Sequence, residues 1–191
     1  MIFITGDTHG DFSRFSSKKF PEGKKLTKQD YIIITGDFGG IWDVNDSNPS
    51  ETYNLKWLGQ KPWTTLFIDG NHENFDRLNQ FPEKEMFNDI VGVVNDSIFH
   101  LKRGKVYIIN KLKFFTFGGG YSLDKDRRTP YIHWWPQELP NYTEYKLGLD
   151  NLVKYNNKVD YIITHSCSNN IFHLMSKKHY MTHKENDEEL Q

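Results

Sequence analysis

Residues 2–10 read IFITGDTHG, and this stretch carries the pattern that organises the chain. A short apolar run ends at a glycine, and residue types that bind metals follow at once. Similar arrangements recur in YIIITGDFGG (residues 31–40), LFIDGNHE (residues 66–73) and YIITHS (residues 161–166). Short β-branched and aromatic runs of this kind are typical of buried strands. Because ligands on loops at strand ends converge on one crevice, we expect a single site there.

The segments between these runs predict helices, which indicates parallel strand–helix units in an α/β protein. In residues 11–20 the spacing of Phe12, Phe15 and Phe20 predicts a helix with one apolar stripe. Three further helices are predicted, at residues 50–59 (with Ser50 as the N-cap), 74–81 and 144–156.

From Ile98 onward the sequence changes character. Three successive short strands are predicted at residues 99–101, 105–109 and 113–117, with turns between them, so antiparallel hairpins are expected. A last strand is predicted at residues 159–164. Parallel units at the front and hairpins at the back favour two facing sheets over one doubly wound sheet.

The region after these hairpins begins with three glycines, Gly118 to Gly120. They do not form a phosphate loop, because no Gly-Lys-Ser/Thr ending and no helix follow them; close backbone approach explains them better. The loop of residues 122–140 is long, aromatic and charged, which is typical of a functional loop.

Composition limits the classes of protein to consider. The 191 residues fit one domain spanning residues 1–191, and 24 Lys plus Arg against 25 Asp plus Glu give a net charge of -1. This balance gives no reason to expect binding to a membrane or to a long nucleic acid. Cys167 is the only cysteine, so no intramolecular disulfide forms and a cytoplasmic location is expected.

Asp, His and Asn at the strand ends suit divalent first-row metals better than soft thiolate-seeking ions. In order and in strand context, Asp7-x-His9, Gly36-Asp37, Gly70-Asn71-His72-Glu73 and His165 resemble the motifs of the calcineurin-like metallophosphoesterases. The resemblance covers residues 1 to about 170. Residues 39–42 and 118–138 are similar to a bacterial and phage subgroup usually labelled metallophosphatase.

The resemblance implies a four-layer α/β/β/α sandwich of two mixed sheets that holds two divalent cations (Mn, Fe, Zn or Mg), with manganese favoured. It implies that Asp37 bridges both cations, that His72 acts as the general acid, and that the chain hydrolyses phosphomonoesters. The remaining ligands would be Asp7 and His9 for one cation, and Asn71 and His165 for the other. Glu73 either orients a neighbouring group or is a solvated surface residue.

Two features of the long loop are candidates for substrate binding. Arg127 or Arg128 could clamp phosphoryl oxygens in a bidentate manner, with a solvated charged loop as the alternative. The aromatic residues of the loop could form a stacking wall for a substrate ring, although such residues more often cover core: Tyr131, His133, Trp134 and Trp135.

The sequence departs from the family pattern at two places. Gly39 and Gly40 stand where protein phosphatases of the family carry a second Asp and an Arg. The family's final Gly-His-x-His motif does not occur after His165, and the later histidines are His173, His179 and His183. We therefore expect a chain truncated at its C-terminus, in which residues 185–191 begin a helix and a homodimer covers an exposed sheet edge.

Three functions remain open at this level. The first is a metal-dependent phosphoesterase that acts on monoesters of phosphoproteins or nucleotide-like substrates. The second is a nuclease or cyclic-nucleotide phosphodiesterase with the same metals. The third is a non-catalytic, metal-poor scaffold on the same sandwich, which the missing final histidines favour.

Overall fold

A computed structural model describes residues 1–44, 48–167, 170–171 and 173–175. Within these residues nine strands form two mixed sheets. The strands are β1 (Ile2–Thr5), β2 (Tyr31–Thr35), β3 (Thr64–Ile68), β4 (Glu83–Met86), β5 (Asp89–Asn95), β6 (Ile98–Leu101), β7 (Lys105–Ile109), β8 (Leu112–Phe117) and β9 (Tyr161–Thr164).

The two sheets differ in strand direction. The first has the order β1-β2-β3-β6-β5-β4, in which β1, β2, β3 and β6 are parallel, and β5 and β4 are antiparallel additions. The second has the order β7-β8-β9, in which β7 and β8 form an antiparallel hairpin and β9 lies parallel to β8. The prediction of an α/β fold with two mixed sheets is confirmed.

Three α-helices and four 3-10 helices connect the strands in the described part of the chain. The α-helices are α1 (Pro49–Gly59), α2 (Phe75–Leu78) and α3 (Tyr142–Lys154), and the 3-10 helices are Ser13–Phe15, Pro21–Lys25, Lys125–Arg127 and Pro136–Glu138. None of the described helices is long and apolar enough to cross a membrane.

Alternation of side chains along the strands sorts the core into two layers. Ile33 and Leu66 of the first sheet pack with Tyr107, Ile109 and Phe114 of the second, so one core lies between the sheets. The opposite face of the first sheet packs against α1 and the 3-10 segments. Because α3 packs against β7 on the outer side of the second sheet, the layers follow the expected α/β/β/α order.

Two helix predictions need correction. Residues 11–20 form a single 3-10 turn, Ser13–Phe15, in which Asp11 accepts the backbone N–H of Ser13 at 2.8 Å. Such local side-chain bonds compete with a longer helix. The N-cap of α1 is Asn48 and not Ser50, because the Asn48 side chain accepts the N–H groups of residues 50 and 51 and Pro49 occupies the first turn.

The strand predictions contain one error and one omission. The strand at Ile98–Leu101 pairs with β3 and β5 in the first sheet, so it forms no hairpin with β7. Strands β4 and β5 were not predicted, since β4 is charged and mostly exposed. They are joined by Phe87-Asn88, whose φ angles of 58° and 70° fit a type I′ turn without its usual glycine.

Candidate metal centre

The five side chains that the sequence suggests as metal ligands lie together at the carboxyl ends of strands: Asp7, His9, Asp37, Asn71 and His165. Four of them follow β1, β2 and β3 of the first sheet, and the fifth follows β9 of the second. The cluster therefore lies where the carboxyl ends of β1, β2 and β3 in the first sheet meet the carboxyl end of β9 in the second.

Asp37 is the centre of this cluster and is only 4% exposed. Its Oδ2 lies 3.6 Å from Nε2 of His9, and its Oδ1 lies 3.4 Å from Nε2 of His165. The half-exposed Asp7 approaches the same two imidazoles at 3.9 and 3.7 Å. The two oxygens of Asp37 thus face different rings, which is the arrangement a carboxylate needs to contact two cations.

Backbone hydrogen bonds fix the loops that carry His9 and Asp37. The N–H groups of Thr8 and His9 donate to the Asp37 carbonyl oxygen at 3.0 and 2.8 Å. His9 and Asp37 also have left-handed backbones, with φ of 46° and 45°. Such conformations are uncommon outside glycine and cluster at functional sites.

Two glycines allow the close approach of these loops. A Cβ on Gly70 would lie 2.1 Å from Oδ1 of Asp37, and a Cβ on Gly36 would lie 2.4 Å from the His165 ring. Any larger residue at either position would displace one of the clustered side chains.

His165 and Asn71 present two lone pairs to each other. Nδ1 of His165 lies 3.1 Å from the Thr35 carbonyl oxygen, which can only accept, so this bond places a proton on Nδ1. In the neutral ring Nε2 then carries a lone pair, and it lies 3.1 Å from Oδ1 of Asn71. Two acceptors at this distance repel unless a proton or a cation lies between them.

Ser122 and Glu138 determine which way the Asn71 amide points. The Ser122 hydroxyl donates to Oε2 of the buried Glu138 at 2.6 Å, so its oxygen is left to accept. Nδ2 of Asn71 donates to that oxygen at 3.1 Å, which directs Oδ1 of Asn71 toward His165. Sequence reasoning missed both residues, because hydroxyl and carboxyl groups in a loop carry no pattern that reports their distant partner.

His72 lies beside the cluster without joining it. Its backbone N–H donates to Oδ1 of Asp37 at 2.9 Å. Its ring contacts His9 edge to face at 5.1 Å between centroids and stacks on Trp42 at 5.5 Å. Burial lowers the pKa of His72; Arg128 and His9 lower it further, and Asp37 opposes them.

Glu73 is fully buried, so its interpretation as a solvated surface residue is wrong. Its carboxyl group accepts the backbone N–H groups of Phe38 at 2.7 Å and Gly39 at 3.3 Å. Burial raises the pKa of Glu73 well above its usual range, although these two hydrogen bonds oppose the shift. Glu73 therefore holds the loop that follows Asp37.

A second buried aspartate, Asp69, follows β3 and has a different environment. Arg103 contacts its Oδ2 through Nε at 2.7 Å and Nη2 at 2.6 Å, and Nε2 of His100 lies 3.1 Å from its Oδ1. Burial alone would raise the pKa of Asp69, but Arg103 and His100 together hold it below its usual value.

The glycine run packs directly on Asp69. The N–H of Gly119 donates to the Asp69 carbonyl oxygen at 2.9 Å, and a Cβ on Gly118 would lie 2.5 Å from that oxygen. The predicted close backbone approach at Gly118 to Gly120 is confirmed.

The two candidate phosphate-binding arginines are placed differently. Arg128 is near enough to His72 for its charge to lower the pKa of that ring. Its guanidinium is paired with Asp124, through Nε at 2.8 Å and Nη2 at 2.7 Å. Arg127 is exposed at the end of the 3-10 helix Lys125–Arg127.

The aromatic residues of the long loop do not form one wall. Trp135 is fully buried, and its Nε1 donates to Asp76 at 3.0 Å, so it covers core. Tyr131 and His133 are exposed. For Trp135 the alternative of core packing, which the sequence left open, is therefore confirmed. A run of neighbouring aromatic residues does not show which of them is buried.

His179 and His183, two of the three histidines that follow His165, and the helix expected at residues 185–191 lie outside the described residues. His173 is among the described residues.

The donor set fits divalent cations. Asp7, His9 and Asp37 offer ligand atoms that all lie within 4.8 Å of one another. His165 and the directed Oδ1 of Asn71 add a nitrogen and a neutral oxygen at the opposite side of Asp37. Nitrogen and oxygen donors of this kind suit manganese, iron and zinc.

Comparison with known proteins identifies the family. The model of the calcineurin-like phosphoesterase family matches residues 1–187, and the chain belongs to that family. It is 23% identical over 205 residues to lariat debranching enzyme A of Xenopus laevis. That alignment covers 96% of this chain but only 36% of the relative, so the chain spans about a third of the relative's length. No solved structure matches the chain significantly.

Membership of this family implies metal-dependent hydrolysis of phosphoesters. The resemblance found in the sequence is therefore confirmed, and the matched region reaches beyond residue 170.

Proposed function

We propose that this chain is a phosphomonoesterase that uses two divalent cations, one held by Asp7, His9 and Asp37 and the other by Asp37, Asn71 and His165. The observation that carries the proposal is the arrangement around Asp37. Its two oxygens face different imidazoles, and a pair of lone-pair acceptors, Nε2 of His165 and Oδ1 of Asn71, converges beside it.

The chain's own residues support a division of labour. Bound cations would supply an activated water and neutralise phosphoryl charge. Asp37 has no Lys or Arg ion pair within the described residues, so its charge is available to a ligand. His72 lies beside the cluster and is not one of the proposed metal ligands. We assign it the protonation of the leaving oxygen. Arg128 is the candidate clamp for a phosphoryl oxygen.

The proposal is tested by metal content and hydrolysis together. After reconstitution with manganese, we expect about two ions per chain and hydrolysis of an aryl phosphate. A chain that binds no first-row metal under these conditions would be the scaffold that the sequence left open. A chain that binds two ions but hydrolyses no phosphoester would contradict the catalytic proposal alone.

A second candidate function is phosphodiester hydrolysis, which the similarity to a lariat debranching enzyme favours. Comparing hydrolysis of an aryl phosphate with that of a bis-aryl phosphate separates the two. A higher kcat/KM for the diester would favour this second function.

We also propose that manganese is the physiological metal, that the protein is cytoplasmic, and that it forms a homodimer through β9. Among the described strands β9 is an edge strand of its sheet, and its Tyr161 and Ile162 are exposed. Sedimentation should give a dimer mass that Ile162→Lys reduces to a monomer. A wild-type monomer at every concentration would contradict the dimer.

A further inference from the structure

A cavity of about 330 Å³ opens beside the cluster, next to His9 and His72. Its volume is at the lower end of the roughly 300–1,000 Å³ typical of small-molecule sites. His72 lines this cavity and donates its backbone N–H to Asp37, so the leaving group of a phosphate ester bound at the cluster would have this cavity beside it.

The cavity lining combines aromatic and polar residues. Trp42, His72 and His9 supply rings, and Asp43 and Asn54 are among the polar residues. Gly10, Gly39 and Gly40 also line the cavity, and because they have no side chains they leave its volume open. The described lining residues include carboxylates but no Lys or Arg.

Hydrogen bonds to the backbones of Trp42 and Asp43 hold Trp42 in place. Oε2 of Glu51 accepts the N–H groups of both residues, at 2.9 and 3.1 Å. Arg77 pairs with Oε1 of Glu51 at 2.5 Å and donates to the Asp43 carbonyl oxygen at 2.8 Å. Asn74 donates to that same oxygen at 2.9 Å.

These contacts have a consequence for ligand binding. Glu51 is paired with Arg77 and accepts two backbone N–H groups, and Asp43 is a second acidic residue of the cavity lining. A negatively charged leaving group would meet like charge there. A flat ring that carries N–H donors would meet aromatic residues and polar groups that can accept hydrogen bonds.

We infer that this cavity binds an uncharged nucleoside leaving group whose base carries an exocyclic amine, so that the substrate is a nucleoside monophosphate such as adenosine 5′-monophosphate. The inference rests on the proposed phosphomonoesterase function and specifies its substrate class. Trp42 and Asn54 determine the preference for the nucleoside, and Asp43 excludes leaving groups that carry a further phosphate.

The experiment compares kcat/KM for adenosine 5′-monophosphate, adenosine 5′-diphosphate and glycerol 2-phosphate in the manganese-loaded chain. We expect the monophosphate to exceed glycerol phosphate by about tenfold or more, the gain that stacking of one base provides. Trp42→Ala and Asn54→Ala should each reduce this ratio. Because a ratio cancels a general loss of kcat, disturbance of His72 by the Trp42 variant does not obscure the result.

Two variants complete the design. Tyr53→Ala on the same helix as Asn54 removes an exposed aromatic residue outside the cavity lining and should leave the ratio unchanged. Asp43→Asn should raise hydrolysis of the diphosphate relative to the monophosphate. Equal kcat/KM values for monophosphate and glycerol phosphate, while both are hydrolysed, would overturn the inference and leave the proposed function intact.

Binding provides a readout that does not depend on turnover. Equilibrium dialysis with adenosine alone should detect binding to the wild-type chain and weaker binding to Asn54→Ala. If no phosphoester is hydrolysed, only the proposed function is contradicted, and adenosine binding still tests the inference about the cavity. Absence of adenosine binding would overturn the inference.

Discussion

Asp37 and Asp69 are both buried aspartates that follow neighbouring parallel strands, at 4% and 1% exposure. Asp69 is paired with the guanidinium of Arg103 and lies against His100. Asp37 faces His9 and His165, and no Lys or Arg ion pair reaches it within the described residues. The same residue type in the same topological position thus has two different electrostatic environments.

The difference shows how a structural carboxylate is distinguished from a ligand. A buried charge is tolerated only when it is paired or when it binds a cation. The charge of Asp69 is compensated within the protein, which fixes the loop that leads to Asn71 and His72. The charge of Asp37 is not compensated in this way, so it is available to an added cation. Substitution of each residue should therefore affect a different property.

The largest expected effect is that of Asp37→Asn on catalysis. The variant removes the charge shared by both proposed cations, so the rate of aryl phosphate hydrolysis should fall by more than about 100-fold, the upper range for outer-shell changes. Metal content per chain should fall with it. Because Asn retains an acceptor for the His72 N–H, the free energy of unfolding without metal should change by less than about 1 kcal/mol. Unchanged metal content and rate would refute the role of Asp37 as the bridge.

The opposite pattern is expected for Asp69→Asn. Removing one partner of a buried ion pair typically costs about 3–5 kcal/mol, because the other charge is left uncompensated. Urea unfolding without metal should show this loss. Asp150→Asn, which breaks an exposed pair with Lys146 on α3, is the matched control and should cost about 0.5 kcal/mol or less. A small effect of Asp69→Asn would mean that the two aspartates do not differ as their environments indicate.

Part of the fold and of the candidate site could be predicted from the sequence. Strands β1, β2, β3 and β9 were predicted because each is a short apolar run that ends at glycine or polar residues. Only β2 and β3 are mostly buried in the structure. Parallel pairing then required the side chains at their ends to meet, and the five suggested ligands do lie together. The hairpin pattern after Ile98 supplied the expectation of a second sheet, and the family resemblance implied the four-layer sandwich.

The remainder depends on contacts that leave no pattern in the sequence. Nothing in the order of residues shows that Arg103 reaches Asp69 while no arginine reaches Asp37. The contacts of Ser122 with Glu138 and Asn71 join residues that are 16 and 51 positions apart, and Glu51 binds the Trp42 backbone from nine positions away. Strand β4 was missed since its exposed, charged residues do not alternate in hydrophobicity.

A third prediction concerns His72, which lies next to Asp37 but is not one of the proposed metal ligands. His72→Gln should lower kcat by about 100-fold, within the range for loss of a general acid, while metal content stays at the wild-type value. Burial lowers the pKa of His72 below its usual value, and the acid must be protonated. The wild-type kcat should therefore decline as pH rises through a value below about 6.5, and this decline should be absent from the variant.

His72→Gln can contradict this assignment in two ways. A loss of metal together with activity would place His72 among the ligands. A wild-type rate would assign the proton transfer to solvent or to another residue.

The smallest expected effect tests whether Ser122 and Glu138 direct the Asn71 amide toward the site of Asp37. Ser122→Ala removes the oxygen that accepts the Asn71 N–H, so the amide can rotate and present nitrogen where oxygen is needed. We expect metal affinity to fall by about tenfold, the lower limit for loss of an outer-shell partner.

Ser122→Thr keeps the hydroxyl and should retain the affinity. Ser13→Ala, which removes an exposed hydroxyl bonded to Asp11, is the control. Isothermal titration with manganese measures all three variants, and equal affinity in Ser122→Ala and wild type would show that the Asn71 orientation has another cause.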